Sequence, residues 1–296
     1  MRNVARIKLG YYPLPPDEGS RLRQLLNYPS DSVSVLDPCA GTGAALFQLT
    51  DNADTNRYAV ELDAERARQA KDAGIDTIHA NIFDVTAKVE SFSLLYLNPP
   101  YDSEVSSFGN QRMELLFLRR TFRWLVNGGV LLMVVPHGEL QECVPLLSEA
   151  FTQFSVFRLS DPESERFDQV ALLAVRARVT AAAYEANRQK LIEAIWKHPL
   201  PVLSGSEPSY DLPPSPPTQM VIGVCPSTSL RTSRLRLLRG IRCALSSYRK
   251  RSPRWADPLL LCMAATSVFC ARPVSSTAPS AMERTVISRA GEPSST

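Results

Sequence analysis

The segment Val33-Ser-Val-Leu-Asp37-Pro-Cys-Ala-Gly41-Thr-Gly43-Ala44 joins a short apolar run to a carboxylate and two closely spaced glycines. The apolar run predicts a buried strand, and the glycines predict a tight turn that opens a helix. Because Gly41 and Gly43 carry no Cβ, the backbone can approach a ligand closely there. Asp37 falls at the carboxyl end of the strand, where open α/β sheets bind ligands.

A nicotinamide dinucleotide site would require the pattern GxGxxG after the strand. With Gly41 and Gly43 as its first two glycines, Leu46 stands in the place of the third. The segment therefore argues against a dinucleotide site. The plainer alternative is that Asp37 caps a loop and the glycines only form a turn.

Short β-branched runs alternate with helical stretches from Ser32 to about Ala177, which is typical of βαβ units and a parallel sheet. The predicted strands are Val33–Leu36, Arg57–Glu61, Thr77–Ala80, Ser93–Leu97, Val130–Val135, Phe154–Leu159 and Val170–Arg176. The predicted helices are Ala44–Thr50, Ala64–Ala73, Arg112–Val126, Glu139–Ala150 and Ala182–Trp196. The last two strands have a ten-residue polar connection without room for a helix, which predicts an antiparallel hairpin. The predicted fold is α/β and Rossmann-like: a seven-stranded, mostly parallel sheet with helices on both faces, a last antiparallel hairpin and an irregular C-terminal tail.

Two further carboxylates follow predicted strands. Glu61 ends the second strand, where an acid can accept hydrogen bonds from the ribose hydroxyls of a nucleoside. Asp84 follows the third strand and could accept from an adenine amino group, with Phe83 or Leu62 against the ring. Asp63 is expected to be the N-cap of the next helix. The alternative for Asp84 is a solvated loop acid.

The most specific segment is Asn98-Pro99-Pro100-Tyr101, which follows an apolar strand. The two prolines fix φ near −65° and cannot donate hydrogen bonds. The Asn98 side-chain oxygen and the Pro99 carbonyl then act as two directed acceptors, which suit a planar NH₂ group. The same dipoles would stabilise positive charge that develops on that nitrogen. Tyr101 offers a flat face on which an extruded base could stack.

Taken together, these motifs resemble the class I S-adenosylmethionine-dependent methyltransferases, in particular the N6-adenine DNA methyltransferases, over about Lys8 to Arg178. The glycine segment resembles the family's cofactor motif, and Asn98 to Tyr101 resembles its catalytic motif. The stretch from Gly10 to Pro16 resembles the motif that precedes the first strand, although Leu14 replaces its usual threonine. The resemblance implies S-adenosyl-L-methionine as cofactor and the catalytic residues Asn98, Pro99, Pro100 and Tyr101. The cofactor-binding residues that it implies are Tyr11, Pro13, Asp37, Pro38, Ala40, Gly41, Gly43, Glu61, Leu62, Phe83, Asp84 and Asn98.

The expected reaction is methyl transfer to an exocyclic amino nitrogen, with N6 of adenine in DNA as the first choice. RNA bases and the amide of a protein glutamine remain alternatives, since all present a planar sp² nitrogen. A non-catalytic nucleic-acid-binding protein on the same fold is a further alternative. The chain has six cysteines but no CxxC pair, and three histidines, so no metal site is expected. Since no recognition domain stands out, sequence specificity is expected to be weak, or to be supplied by a partner or by a missing C-terminus.

The charge is unevenly distributed: residues 219–296 hold 12 basic and 3 acidic side chains, whereas the first 218 residues carry a net charge of −6. Seven prolines fall between Pro199 and Pro217. The predicted organisation is a cofactor-capping segment (1–31), a methyltransferase domain (32–198), a proline-rich linker or wrapping segment (199–218) and a basic tail (219–296). The tail is expected to be disordered or translated out of frame. No signal peptide or spanning stretch stands out, so a cytoplasmic location without a membrane partner is expected.

Overall fold

Seven strands that correspond to the seven predicted ones form a single central sheet. The computed structural model describes residues 12–101, 103–106 and 109–223. The strands of the sheet are β1 (Val33–Asp37), β2 (Thr55–Glu61), β3 (Asp76–His79), β4 (Phe92–Leu97), β5 (Leu125–Pro136), β6 (Phe151–Arg158) and β7 (Gln169–Arg176).

The strand order is β3-β2-β1-β4-β5-β7-β6. The first five strands in this order run parallel. β7 is antiparallel to β5, and β6 is antiparallel to β7. The predicted Rossmann-like sheet with its antiparallel hairpin is thereby confirmed. The chain order reverses between β1 and β4, so the carboxyl ends of these two strands border the crevice where such sheets bind ligands.

Seven helices accompany the sheet in the described part of the chain. They are α1 (Pro16–Gln24), α2 (Ala44–Leu49), α3 (Ala64–Asp72), α4 (Met113–Thr121), α5 (Leu140–Ala150), α6 (Pro162–Arg166) and α7 (Tyr184–Ile195). Single 3₁₀ turns cover Ile82–Asp84, Phe122–Trp124 and His137–Glu139. The prediction that the hairpin connection has no room for a helix is wrong. A single turn needs only five residues, and Pro162 supplies the fixed φ that suits its first position.

The sheet is apolar on both faces because helices cover both. All five residues of β1 are buried. Its successive side chains alternate between two apolar clusters, as the period of a strand requires. Leu36 packs with Leu95 in one cluster, and Val35 packs with Leu94 in the other. These positions are also paired in register between β1 and β4, so the core fixes the two strand ends that carry Asp37 and Asn98.

The proline-rich segment lies against the body of the protein. Leu203 and Leu212 are buried. Tyr210–Asp211 forms a short strand parallel to Leu26–Asn27. The Ser215 hydroxyl accepts a hydrogen bond of 2.7 Å from the backbone N–H of Ser34 in β1. Residues 199–218 therefore wrap the sheet rather than act as a free linker.

The first residues of the predicted tail also belong to the folded part. Met220–Ile222 forms a strand antiparallel to Val85–Ala87, so the boundary predicted at residue 219 is too early. Residues 224–296, which make up the rest of that tail, lie outside the described residues.

A short hairpin follows the predicted catalytic segment, with Ser103–Ser106 paired to Gly109–Arg112. Within the described ranges, no helix has both the length and the apolar character needed to cross a bilayer.

Candidate functional site

The glycine turn after β1 adopts the conformation that its sequence predicts. Gly41 and Gly43 have φ of 57° and 82°, a region that glycine enters without steric cost. The Gly43 N–H donates to the Ala40 carbonyl at 2.8 Å, and the Ala40 N–H donates to the Val60 carbonyl at 3.1 Å. A Cβ on Gly43 would lie 2.2 Å from the Ile75 side chain. The turn is thus closed by its own hydrogen bonds and packed against the side chain of Ile75, which precedes β3.

Asp37 is 1% exposed at the end of β1. One carboxylate oxygen accepts from the Cys39 N–H at 2.9 Å. Burial raises the pKa of Asp37 from its usual 3.8 to about 7, and the nearby Glu61 carboxylate adds to the rise. The Cys39 N–H opposes it. Asp37 therefore has a poorly compensated buried charge at neutral pH, and a cationic or hydrogen-bond-donating ligand would stabilise it.

Glu61 ties the end of β2 to the glycine turn. Its Oε2 accepts from the Gly41 N–H at 2.7 Å. Its Oε1 accepts from the Asp63 N–H at 2.8 Å and from the Arg66 guanidinium, also at 2.8 Å. Since each carboxylate oxygen has about two acceptor sites, Oε1 is fully used by Asp63 and Arg66, whereas Oε2 keeps a lone pair that a ribose hydroxyl could use.

The remaining predicted cofactor residues sit along the strand ends. Asp63 is the N-cap of α3 and accepts from the Glu65 and Arg66 N–H groups. Leu62 is 55% exposed. Phe83 packs edge-on against Phe117, with ring centroids 5.5 Å apart, and Asp84 is exposed.

Asn98 follows β4 and takes part in two hydrogen bonds. Its Nδ2 donates to the Tyr12 carbonyl at 2.7 Å. Its Oδ1 accepts from the Tyr101 hydroxyl at 3.0 Å. The Tyr101 hydroxyl in turn accepts from Nε2 of Gln169. Burial raises the pKa of Tyr101, so its hydroxyl stays protonated and can donate to Asn98.

A cavity lies between the glycine turn and the asparagine–proline corner, the name used here for Asn98, Pro99 and Pro100. Its volume is about 20 Å³, and its lining is contributed by Tyr12, Pro13, Leu14, Asp37, Cys39, Ala40, Ala44, Ala45, Tyr96 and Asn98. It brings together the predicted Pro13, Asp37, Ala40 and Asn98. Pro38, Gly41, Gly43, Glu61, Leu62, Phe83 and Asp84 are not part of this lining. The predicted Tyr11 lies outside the described residues.

Two polar groups in this cavity call for a ligand partner. The Tyr96 hydroxyl is buried close to the Asn98 side chain, but it makes no well-formed hydrogen bond within the described residues. The Asp37 carboxylate is the other group. Cys39 also faces the cavity, and burial raises the pKa of its thiol well above the ordinary value, so it stays protonated and is a poor nucleophile.

Sequence reasoning missed an aromatic cluster beside Asn98. The Tyr12 ring stacks on Tyr101 with ring centroids 4.8 Å apart and planes at 11°. The Tyr12 ring also contacts Phe167 in a tilted arrangement, with centroids 4.5 Å apart and planes at 60°. Phe167 directly follows α6, which was not predicted. Of the three rings, only Tyr101 belongs to the motif Asn98–Tyr101 and could be identified from it.

Comparison with known proteins identifies one family. The model of an uncharacterised methyltransferase family, DUF6094, matches residues 1–204 of the chain. No curated protein matches it in sequence.

Solved structures resemble the fold at low identity. A type I restriction-modification methyltransferase subunit from Streptococcus thermophilus is 16% identical with a TM-score of 0.46, over 63% of this chain and 53% of that one. A protein from Listeria monocytogenes assigned to the class I S-adenosylmethionine-dependent methyltransferases is 16% identical with a TM-score of 0.45, over 60% and 69%. A tRNA (m1A58) methyltransferase from Aquifex aeolicus is 14% identical with a TM-score of 0.43, over 57% and 72%.

Proposed function

The chain belongs to the methyltransferase family DUF6094. From the residues around Asn98 we propose that it methylates the exocyclic amino nitrogen of a nucleic-acid base, N6 of adenine in DNA. As a member of this family the chain is an S-adenosyl-L-methionine-dependent methyltransferase.

The cavity residues suit S-adenosyl-L-methionine in their chemistry. That cofactor supplies an activated methyl group on a sulfonium and carries an ammonium on its methionine end. The buried Asp37 carboxylate complements a cation, and the Tyr96 hydroxyl can donate to or accept from the ligand. Because Gly41 and Gly43 carry no Cβ, the backbone of the glycine turn can come close to the cofactor. At about 20 Å³ the cavity holds only a water-sized group, so the Tyr12–Leu14 segment has to move outward when the cofactor binds.

Asn98 and Pro99 are proposed to hold the acceptor amine. A carboxamide oxygen and a backbone carbonyl accept the two N–H bonds of a flat NH₂ group, and this orients the nitrogen lone pair. As the nitrogen gains positive charge, both dipoles stabilise it without reorganising. No side chain needs to act as a nucleophile, because the lone pair of the acceptor nitrogen itself forms the new bond to the methyl carbon as the bond from that carbon to the sulfonium sulfur breaks.

The stacking of Tyr12 on Tyr101 is the observation that favours a base over a glutamine amide. The Tyr12 ring fills a slot on the face of Tyr101, with Phe167 in contact and Asn98 at its border. A planar heterocycle has the thickness and shape of that ring, and stacking stabilises a base by roughly 1–3 kcal/mol. A glutamine side chain has no ring to fill the slot. A base enters only after Tyr12 leaves, because both would occupy the same face of Tyr101.

The described part of the chain consists of the sheet, its helices and the wrapping segment, and no separate recognition domain stands out there. We therefore propose that target selection comes from a partner or from weak contacts along the nucleic acid.

Radiolabelled S-adenosyl-L-methionine offered separately to unmethylated DNA, RNA and a protein extract tests the acceptor. We expect label in DNA, recovered as N6-methyladenine after nucleoside digestion. Label only in RNA or in protein would overturn the DNA assignment. Label at a ring nitrogen would overturn the amine-holding role of Asn98 and Pro99.

A further inference from the structure

A chain of hydrogen bonds begins at Gln169 in the sheet and ends at the N-terminal segment. Gln169 Nε2 donates to the Tyr101 hydroxyl, which donates to Asn98 Oδ1 at 3.0 Å, while Asn98 Nδ2 donates to the Tyr12 carbonyl at 2.7 Å. We propose that Gln169 is a positioning residue: it acts through the Tyr101 hydroxyl to fix which end of the Asn98 amide faces the acceptor. This inference rests on the proposed function, since it concerns the acceptor site.

The direction of every bond in this chain follows from its first donor. An amide Nε2 can only donate, so the Tyr101 hydroxyl must use a lone pair to accept from it. The single hydroxyl proton is then left for Asn98, and it selects the amide oxygen over the amide nitrogen. With Oδ1 held toward Tyr101, Nδ2 points to the Tyr12 carbonyl.

This orientation matters because the two ends of an asparagine amide have nearly the same shape and opposite polarity. Turned the other way, the Asn98 amide would point its own N–H bonds at the N–H bonds of the substrate amine that receives the methyl group, and no hydrogen bond could form. Oδ1 has two lone pairs, so it can accept from Tyr101 and from the acceptor amine together. Fixing the amide before the acceptor arrives removes the need to reorganise it during the reaction.

The place of Gln169 in the fold also speaks for a specific role. It is 5% exposed and begins β7, where the next five residues, Val170–Ala174, are fully buried and apolar. A buried amide costs free energy unless its donors are satisfied. If packing alone mattered, an apolar residue would suit this position in the sheet better. The hydrogen-bond partner of the Gln169 amide is the Tyr101 hydroxyl, which borders the proposed acceptor site.

Kinetics of Gln169→Glu and Gln169→Met test the proposal. A carboxylate in place of the amide can only accept, so it draws the Tyr101 proton away from Asn98. We expect kcat to fall roughly 10- to 100-fold for Gln169→Glu and less for Gln169→Met, with the KM for S-adenosyl-L-methionine changed by less than about threefold. Gln189→Glu, an exposed change of the same type on α7, is the control and should keep the wild-type kcat.

The double variant separates positioning from packing. If Gln169 acts through the hydroxyl, Gln169→Met should reduce kcat less than about twofold once Tyr101→Phe has removed that hydroxyl. Losses that multiply in the double variant, or a cofactor KM that rises in step with the fall in kcat, would overturn the proposal.

The side-chain amide signals of Asn98 in a nitrogen-15 NMR spectrum test the chain without any activity. They are identified by their loss in Asn98→Asp. We expect them to shift in Gln169→Glu and in Tyr101→Phe, while those of Asn187, which is bonded to the Ser148 and Phe151 carbonyls, stay in place. If the wild type methylates no nucleic acid, the proposed function fails, but this spectrum still tests whether Gln169 orients Asn98 through Tyr101. Asn98 signals that do not move in either variant would refute the positioning role of Gln169.

Discussion

Replacing Asp37 by asparagine should stabilise the ligand-free protein at alkaline pH. The substituted amide keeps an oxygen that can accept from the Cys39 N–H and removes a charge from a side chain that is 1% exposed. In the wild type the pKa of Asp37 is about 7 when folded, against 3.8 ordinarily. Between those values the folded state binds more protons than the unfolded state, so the wild-type free energy of unfolding falls as pH rises through this window.

The size of the effect follows from the shift. At 1.36 kcal/mol per pKa unit, ionising Asp37 costs about 4 kcal/mol over the whole window from pH 3.8 to 7. Two of the three units lie above pH 5, so about 3 kcal/mol should appear between pH 5 and pH 8. Any constant cost of the new amide donors cancels in that difference between two pH values.

Urea unfolding of both proteins at pH 5, 6, 7 and 8 measures it. We expect the stability of Asp37→Asn relative to the wild type to rise by about 3 kcal/mol from pH 5 to pH 8. The same variant should bind S-adenosyl-L-methionine more weakly, because the cationic end of the cofactor loses its carboxylate. Parallel pH profiles for the two proteins would refute the buried-charge reasoning, and unchanged cofactor affinity would remove Asp37 from the binding site.

Three further changes probe the turn, the wrapping segment and the slot. Gly43→Ala should destabilise by roughly 1–3 kcal/mol more than Gly74→Ala, since both have positive φ but only the first adds a clash; equal losses in urea would contradict this. Ser215→Ala should cost about 1–3 kcal/mol by stranding the buried Ser34 N–H, whereas a neutral result would show that the segment is not integral. Tyr12→Ala should lower the acceptor KM by roughly tenfold by emptying the slot; a higher KM would mean that the ring assists binding.

The parts of the site that lie within one strand and its following loop could be predicted from the sequence. Asp37, Glu61 and Asn98 each directly follow or end an apolar run, so their positions at the carboxyl edge of a parallel sheet follow from local pattern alone. The strand order places β1 and β4 next to each other, which brings Asp37 and Asn98 to the same cavity.

The contacts that complete the site could not be predicted, because they join distant parts of the chain. Gln169 lies 68 residues from Tyr101, and Tyr12 lies 86 residues from Asn98. Gln169 carries no local motif, and the motif-like stretch around Tyr12 gave no sign of a contact with Asn98. The contacts of residues 199–218 were equally hidden, because a proline-rich sequence suits a linker and a wrapping segment alike. The Ser215 hydroxyl accepts from the Ser34 N–H across 181 residues, and no local pattern signals that contact.

Methyl transfer and cofactor binding, measured together on Asn98→Ala, separate the two halves of the proposed site. Asn98 and Pro99 are proposed to hold the acceptor amine, whereas the glycine turn and Asp37 are proposed to hold the cofactor. We expect Asn98→Ala to lose at least about 100-fold in kcat, on the scale of one lost oriented dipole, while calorimetry gives an S-adenosyl-L-methionine affinity within about threefold of the wild type. Transfer at the wild-type rate would contradict the role proposed for Asn98.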